Sequence, residues 1–500
     1  MIPKASSSVT STDCPKPPSL ASEISPPGGA LTLLMKTPFS LSLALMTLMA
    51  GGLYAADAPS SSSEDVPLVE QLLGHAPSSI TGNPAAETVD PGTGQVGRWL
   101  QIPESTGLRL GGVWVGDTNG LISGGANPGT WSFNSMLIVG ANLDAEKLVG
   151  WKGASFGIQF LQFNGQEING KNTNQLAGSV QGYNSLPGPD PLNRSELYQL
   201  WYRQSFFDDR VSFRIGKQVP TYDFNNVARP VATQGDALSI PSVTGLLYTP
   251  VFVNPTLLGA IGGYYNSVAG IAVSVAPTKN TYLRYGFYDG NVANGVQTGM
   301  TGPQFNGYTF NIWEGGVDWV IADKYPGNFG AGLWYQSGVL QAGDISQNGT
   351  GGYYMFGSQR IWSNQPPVAP LMSEKTADGK SKIIVPSEPS YQKASISTFF
   401  QYGVNNSETL PMNQYFGIGF TGFGLVPHRP SDSMGVGMSW AWMNPNIFNR
   451  SSELMFQGYY QAHLVGGVFF QPGVTYIPTP AADSSLGGAW AMTFRLAVLF

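Results

Sequence analysis

The sequence predicts an all-β fold: a single transmembrane, antiparallel, up-and-down β-barrel of about sixteen strands. Three observations predict it. Only 11% of the 500 residues are charged, against roughly 25% in an ordinary soluble domain. Glycine reaches 64 residues, and each glycine inside a helix costs about 1 kcal/mol relative to alanine, so a large helical content is disfavoured. Beyond the N-terminal region no apolar run is long enough to make a spanning helix, so a membrane-crossing chain must hide its apolar residues in a period of two.

The N-terminal region stands apart from that fold. Residues 1–34, rich in Ser and Pro, read as an extension ahead of a start at Met35. Residues 35–56, MKTPFSLSLALMTLMAGGLYAA, combine a lysine, an apolar stretch from Phe39 to Met49 and small terminal residues, the pattern of a signal peptide cleaved after Ala55 or Ala56. That stretch is too short to cross about 30 Å of hydrocarbon as an anchor. Residues 57–97 are Ser/Pro/Gly/Asp-rich and read as a flexible periplasmic leader broken by one short segment, VPLVEQLL. Residues 98–500 form the expected barrel.

The alternation is clearest at the C-terminus. Phe500, Val498, Leu496, Phe494, Met492 and Trp490 are all apolar, while the interleaved Leu499, Ala497, Arg495, Thr493 and Ala491 are small or polar except for Leu499. Successive strand side chains point to opposite faces, so one face meets lipid and the other tolerates Arg495. The same pattern sets Val211, Phe213 and Ile215 against Ser212 and Arg214, and Leu283, Tyr285 and Phe287 against Tyr282, Arg284 and Tyr288. It sets Val317, Trp319 and Ile321 against Asp318, and Ile396, Phe400 and Tyr402 against Ser395 and Ser397. In ELMFQGYYQAH, Leu454, Phe456 and Tyr460 oppose Glu453, Gln457, Gln461 and His463, with a one-residue shift expected along the run. Clusters such as PGPDP, PSD and TKN suit hairpin turns. Trp151, Trp201, Trp334, Trp440 and Trp442 fall near run ends, as an outward interfacial girdle requires. At roughly 25 residues per strand and connection, residues 98–500 supply about sixteen strands.

Composition also excludes partners. The net charge of −6 and the lack of a Lys/Arg cluster argue against nucleic acid. The single cysteine, Cys14, precedes the expected barrel, and His75, His428 and His463 are widely separated, so no metal site and no cofactor are expected. The polar, lumen-facing positions are the candidates for lining a pore: Arg214, Arg284, Asp318, Glu453, Gln457 and Arg495, with Tyr282 and Tyr288 as stacking faces. Residues 225–235, which include Arg229, and residues 343–365 are long enough to fold inward and narrow it.

Several segments in order resemble the carbohydrate-selective outer-membrane porins of Gram-negative bacteria, the OprB family. They are NLDAEKLVGWKGASFGIQFLQFNG from Asn142, ELYQLWYRQSFFDDRVSFRIGKQ from Glu196, APTKNTYLRYGFYDGN from Ala276 and FFQPGVTYIPTP from Phe469. In the last, Gly473, Val474 and Thr475 replace the Asp-Leu-Gln usual in that family's penultimate strand. The resemblance implies a sixteen-stranded barrel, often trimeric, embedded in outer-membrane lipid and passing small sugars. It also implies that Phe500, with Val498, Leu496 and Phe494, is the C-terminal signal read by the barrel-assembly machinery. Two other classes compete. A secreted or surface carbohydrate-binding β protein or adhesin would need polar residues where Trp490, Phe494 and Val498 stand. A barrel enzyme would need an organised nucleophile, and neither His428 nor His463 falls in such a motif. The leader is too short for the plug domain of a gated transporter.

Overall fold

The period-two pattern becomes a closed barrel because a backbone crossing lipid must bond all its N–H and C=O groups internally. The computed structural model describes residues 92–187, 192–228, 243–263, 265–295, 302–322, 324–364, 372–375, 381–384 and 394–500. The extension, the signal peptide, most of the leader with VPLVEQLL, and Arg229 lie outside them.

In chain order the strands are β1 (Leu108–Ser123), β2 (Trp131–Asp144), β3 (Ala154–Gly165), β4 (Asn193–Phe206), β5 (Val211–Gln218), β6 (Val268–Thr278), β7 (Thr281–Asp289), β8 (Thr309–Ile321), β9 (Tyr325–Ala342), β10 (Ile345–Ser363), β11 (Met372–Lys375), β12 (Ser381–Ile384), β13 (Ser395–Asn405), β14 (Met412–Phe423), β15 (Ser433–Met443), β16 (Ser452–Val465), β17 (Val468–Ile477) and β18 (Ala489–Leu499). Sixteen of them close a barrel in which each strand pairs antiparallel with its neighbours, and β11 and β12 form a separate hairpin between β10 and β13. Closure joins β1 to β18 from Val113 opposite Leu499, through Asp117 opposite Arg495, to Gly120 opposite Met492.

The alternation of β18 holds from Trp490 to Ala497: Ala491, Thr493, Arg495 and Ala497 face inward and are buried, while Trp490 is exposed on the outer face; at the strand's end, where it pairs with β1 and β17, Val498 and Leu499 are both buried. In β16 no shift occurs from Glu453 to Gln461; the one irregularity lies beyond, between His463 and Val465. Leu454, Phe456 and Tyr460 already share one parity, and Glu453, Gln457 and Gln461 are buried on the other. Outward aromatics stack into a belt, with Trp440 on Trp442 at 4.3 Å, Tyr476 on Trp490 at 4.4 Å and Phe156 on Tyr202 at 5.0 Å between ring centres. Trp151 and Trp440 belong to the exposed outer surface, but Trp201 and Trp334 do not. Their neighbours Leu200, Leu333 and Tyr335 take the outward parity, which turns both indoles into the lumen, where Trp334 stacks on Phe310 at 5.9 Å. Position near a strand end said nothing about parity, and parity decided.

One end of the barrel carries both of its chain ends and mainly short connections, such as 207–210, 279–280 and 466–467; the 364–394 segment with β11 and β12 also emerges there. The first described residues dock at this end: the Thr93 N–H donates to the Phe500 carbonyl at 3.2 Å, and Trp99 lies parallel to the Phe500 ring. The opposite end carries the long connections 166–192, 219–267, 290–308 and 478–488.

Candidate functional site

Two of those connections turn back into the barrel. Within 219–267, residues 245–262 read GLLYTPVFVNPTLLGAIG, an apolar and non-alternating run that would be costly in water. Prolines start three short turns in it, at Pro220–Tyr222, Thr249–Val251 and Pro255–Leu257, where the missing N–H and preset φ suit a first turn. Phe224, Leu246, Tyr248, Val251 and Leu257 are fully enclosed and pack with inward wall residues such as Phe310, Tyr354, Phe399 and Tyr459 into one core inside the lumen. In the 166–192 connection a short helix, α1 (Thr173–Ala177), is closed by a reciprocal cap between Asn172 and Gln175 and ends at Gly178. Gly178 has φ +70°, and a Cβ there would lie 2.4 Å from Leu486 Cδ1, so both backbone and space call for glycine.

A loop buried in this way needs partners for its backbone, because it has no neighbouring strand. The inward parity of the wall supplies them. Gln457 accepts from the Leu247 and Tyr248 N–H groups and donates to the Tyr183 carbonyl at 3.0 Å. Gln471 donates to the Gly245 carbonyl at 2.7 Å, and Asn405 donates to that of Thr256 at 2.7 Å. Tyr459 accepts from the Gly245 N–H at 2.8 Å. Glu453 takes donors from residues 179–181 and from Ala481. Arg495 forms a two-bond pair with Asp117, both bonds at 2.7 Å, and Asn184 of the inward loop donates to that same Asp117 at 2.8 Å. Burial pushes the phenols of Tyr183 and Tyr248, both on inward loops, well above the usual tyrosine range, and that of Tyr265 up to about 12.

A second set of wall residues meets the 219–267 loop through charge. Arg214 pairs with Asp223 of the loop and donates to Gln218 at 2.6 Å. Glu314 accepts from the Asn225 N–H at 2.7 Å, the Tyr282 hydroxyl at 3.0 Å and the Tyr354 hydroxyl at 2.8 Å, with Arg284 at 3.5 Å. The Arg284 guanidinium lies over the Tyr282 ring at 4.0 Å, and that of Arg214 lies near Trp201 at 5.7 Å. Beside this set a cavity remains, lined by Arg203, Ser212, Arg214, Asp223, Phe224 and Arg284.

The structure therefore sorts the sequence candidates. Arg214, Arg284 and Tyr282 come together at the cavity or next to it. Tyr288 faces the lumen nearby, but Phe224 covers it edge-on at 6.4 Å, so its ring is not an open platform. Asp318 sits apart, near the 279–280 turn, its N–H donating to the Asn280 carbonyl at 2.8 Å. Glu453, Gln457 and Arg495 face the lumen as expected, yet all three lie beneath inward loops and hold them. Residues 343–365 do not fold inward, because nearly all of them form β10. Of 225–235, the described residues 225–228 do lie within the lumen. Sequence reasoning missed Asp117, Asp223 and Glu314, the acids that partner the arginines. It also missed the 243–267 stretch, although its apolar, proline-punctuated composition was a usable signal.

A family model described as carbohydrate-selective porin, OprB family, matches residues 134–500. The chain belongs to that family. It is an outer-membrane sugar porin, and the channel-free adhesin is not favoured. Porin B of Pseudomonas aeruginosa strain PAO1 is 22% identical over 438 residues, covering 77% of this chain and 86% of that protein. The high-pH structure of Pseudomonas putida OprB superposes with a TM-score of 0.65 at 16% identity, covering 83% of this chain and 99% of that one, which agrees with the sixteen-stranded barrel. The low-pH structure of the same protein reaches 0.49 at 14% identity over the same shares.

Proposed function

We propose that this porin passes small uncharged sugars by passive diffusion, along the part of the lumen beside Arg203, Arg214 and Arg284. The observation that carries the reading is the pairing of charge inside the barrel. Arg214 with Asp223, Arg284 with Glu314, Arg194 with Glu196 and Arg495 with Asp117 leave a wall rich in hydrogen-bonding groups and poor in net charge. Such a wall exchanges weak hydrogen bonds with a polyhydroxyl solute. A porin performs no covalent step; contacts weak enough to be replaced by water lower the barrier to entry and still allow exit.

The finer assignments belong to the same reading. Residues 35–56 direct export and are cleaved, and the long connections face outward while the short turns face the periplasm. The terminal strand, with Phe494, Leu496, Val498 and Phe500, is offered to the barrel-assembly machinery, and three copies associate in the membrane. Liposome swelling tests the central claim. Glucose is expected to enter faster than an amino acid of similar size, with a disaccharide slower, and Arg214→Ala or Arg284→Ala is expected to narrow the gap. Rates ordered by size alone would make the chain a general porin. No swelling from protein shown to be folded and inserted would sink the open-channel reading.

A further inference from the structure

Glu453 is a carboxylate with 0% exposure and, among the described residues, no cationic partner. Removing such a charge from water costs several kcal/mol unless hydrogen bonds replace hydration. Here they do. One carboxylate oxygen accepts from the Ser179 hydroxyl at 2.8 Å and the Gln181 N–H at 3.0 Å. The other accepts from the Val180 N–H at 2.9 Å and the Ala481 N–H at 2.8 Å. The main-chain carbonyl of Glu453 accepts from the Gln181 side chain at 2.8 Å. The donors come from two connections, 166–192 and 478–488, which also meet through the Ala482 N–H on the Gly178 carbonyl at 3.1 Å.

Gln457, two inward positions along the same strand, shows what a neutral side chain can do. Its single acceptor oxygen serves two adjacent N–H groups of one loop, and its other end is a donor. Only an anion, with acceptors at both oxygens, gathers four donors from two loops. The residues it gathers lead straight into the lumen: Asn184, three positions beyond Gln181, bridges Asp117 at 2.8 Å and Asn119 at 2.7 Å.

We infer that Glu453 is a positioning residue of the channel, which ties the inward 166–192 loop to the 478–488 loop at the rim and so sets the aperture and its discrimination between solutes. This rests on the reading of the chain as a sugar channel. Glu453→Gln replaces two acceptor sites with an amide group that faces donors. In the full chain purified from outer membranes, it is expected to raise single-channel conductance by about twofold or more and to erase the glucose preference in liposome swelling, with unchanged heat-modifiable mobility of the barrel. Ser179→Ala removes one donor and is expected to shift both readouts in the same direction by less. Both are read per folded channel, so a loss of folded protein alone moves neither. Folded Glu453→Gln channels with the parent's conductance and discrimination would overturn the inference. If that variant fails to fold, Ser179→Ala decides in the same way. A parent channel without glucose preference would remove the sugar reading, and the conductance change would still judge Glu453.

Discussion

The two sides of the lumen wall are built on opposite principles. On β5, β7, β8 and β10 the inward positions carry long side chains: Arg214 and Arg284 reach Asp223 of the 219–267 loop, Glu314 reaches Asn225, Tyr288 meets Phe224, and Tyr282 and Tyr354 brace Glu314. On β13, β14 and β15 the inward positions include Gly403, Gly417, Gly419, Gly435 and Gly437; side chains of the loop come down onto Gly403 and Gly437, and wall aromatics Tyr415, Phe399 and Tyr459 fill the space over the other three. A Cβ at Gly437 would stand 2.3 Å from Leu246 Cδ1 and 2.5 Å from the Tyr248 hydroxyl. The glycine side is where the loop is laid down, and the charged side is where the cavity remains. The lie of the inward loop thus follows side-chain volume on one wall and charge pairing on the other.

The largest expected effect breaks the charged side. Glu314→Ala leaves the Tyr282 and Tyr354 hydroxyls and the Asn225 N–H without their acceptor, and Arg284 without its carboxylate and with only the Asp223 carbonyl, in a site with 3% exposure. Removing one member of such a buried pair costs about 3–5 kcal/mol, to be measured as a fall in the urea midpoint of refolded protein. Stability equal to the parent's would mean that the charged wall does not depend on its pairing. Next, Gly437→Val tests the glycine side. Overpacking there should cost about 1–3 kcal/mol and lift the loop, seen as higher conductance in planar bilayers; the parent's conductance would show that the loop can yield locally.

A smaller effect separates the loop from both walls. The raised phenol values of Tyr183, Tyr248 and Tyr265 mean that each favours the folded state while neutral, so their contribution is fully present below the ordinary value of 10.0. It is lost as pH rises through the folded values, about 12 for Tyr265. Conductance should therefore be flat up to pH about 10 and climb above it, while the heat-modifiable band of the barrel persists. A change that begins near neutral pH would point to other groups.

Much of the barrel was legible because its pattern is local. Outward Phe494 and inward Arg495 differ by one position in a strand, and lipid on one side makes that difference unavoidable. The same rule placed Arg214, Arg284 and Glu453 on the lumen side. It could not say what each would touch, since Glu453 meets residues 179–181 across the fold, and Arg495 meets Asp117 only when the first and last strands close. Trp201 and Trp334 show the limit on smaller scale: residue type suggested a girdle, and register sent them inward.

The sequence by itself determined that the chain is a sixteen-stranded barrel with an apolar outer face, because period and strand length are properties of consecutive residues. It also carried, in its ordered segments, the family to which the chain belongs. Only the tertiary structure decided which polar residues face the remaining cavity and which are consumed in holding loops. That choice depends on where the 166–192 and 219–267 connections come to rest, and their buried N–H and C=O groups must find partners on whatever wall the closed barrel brings opposite them.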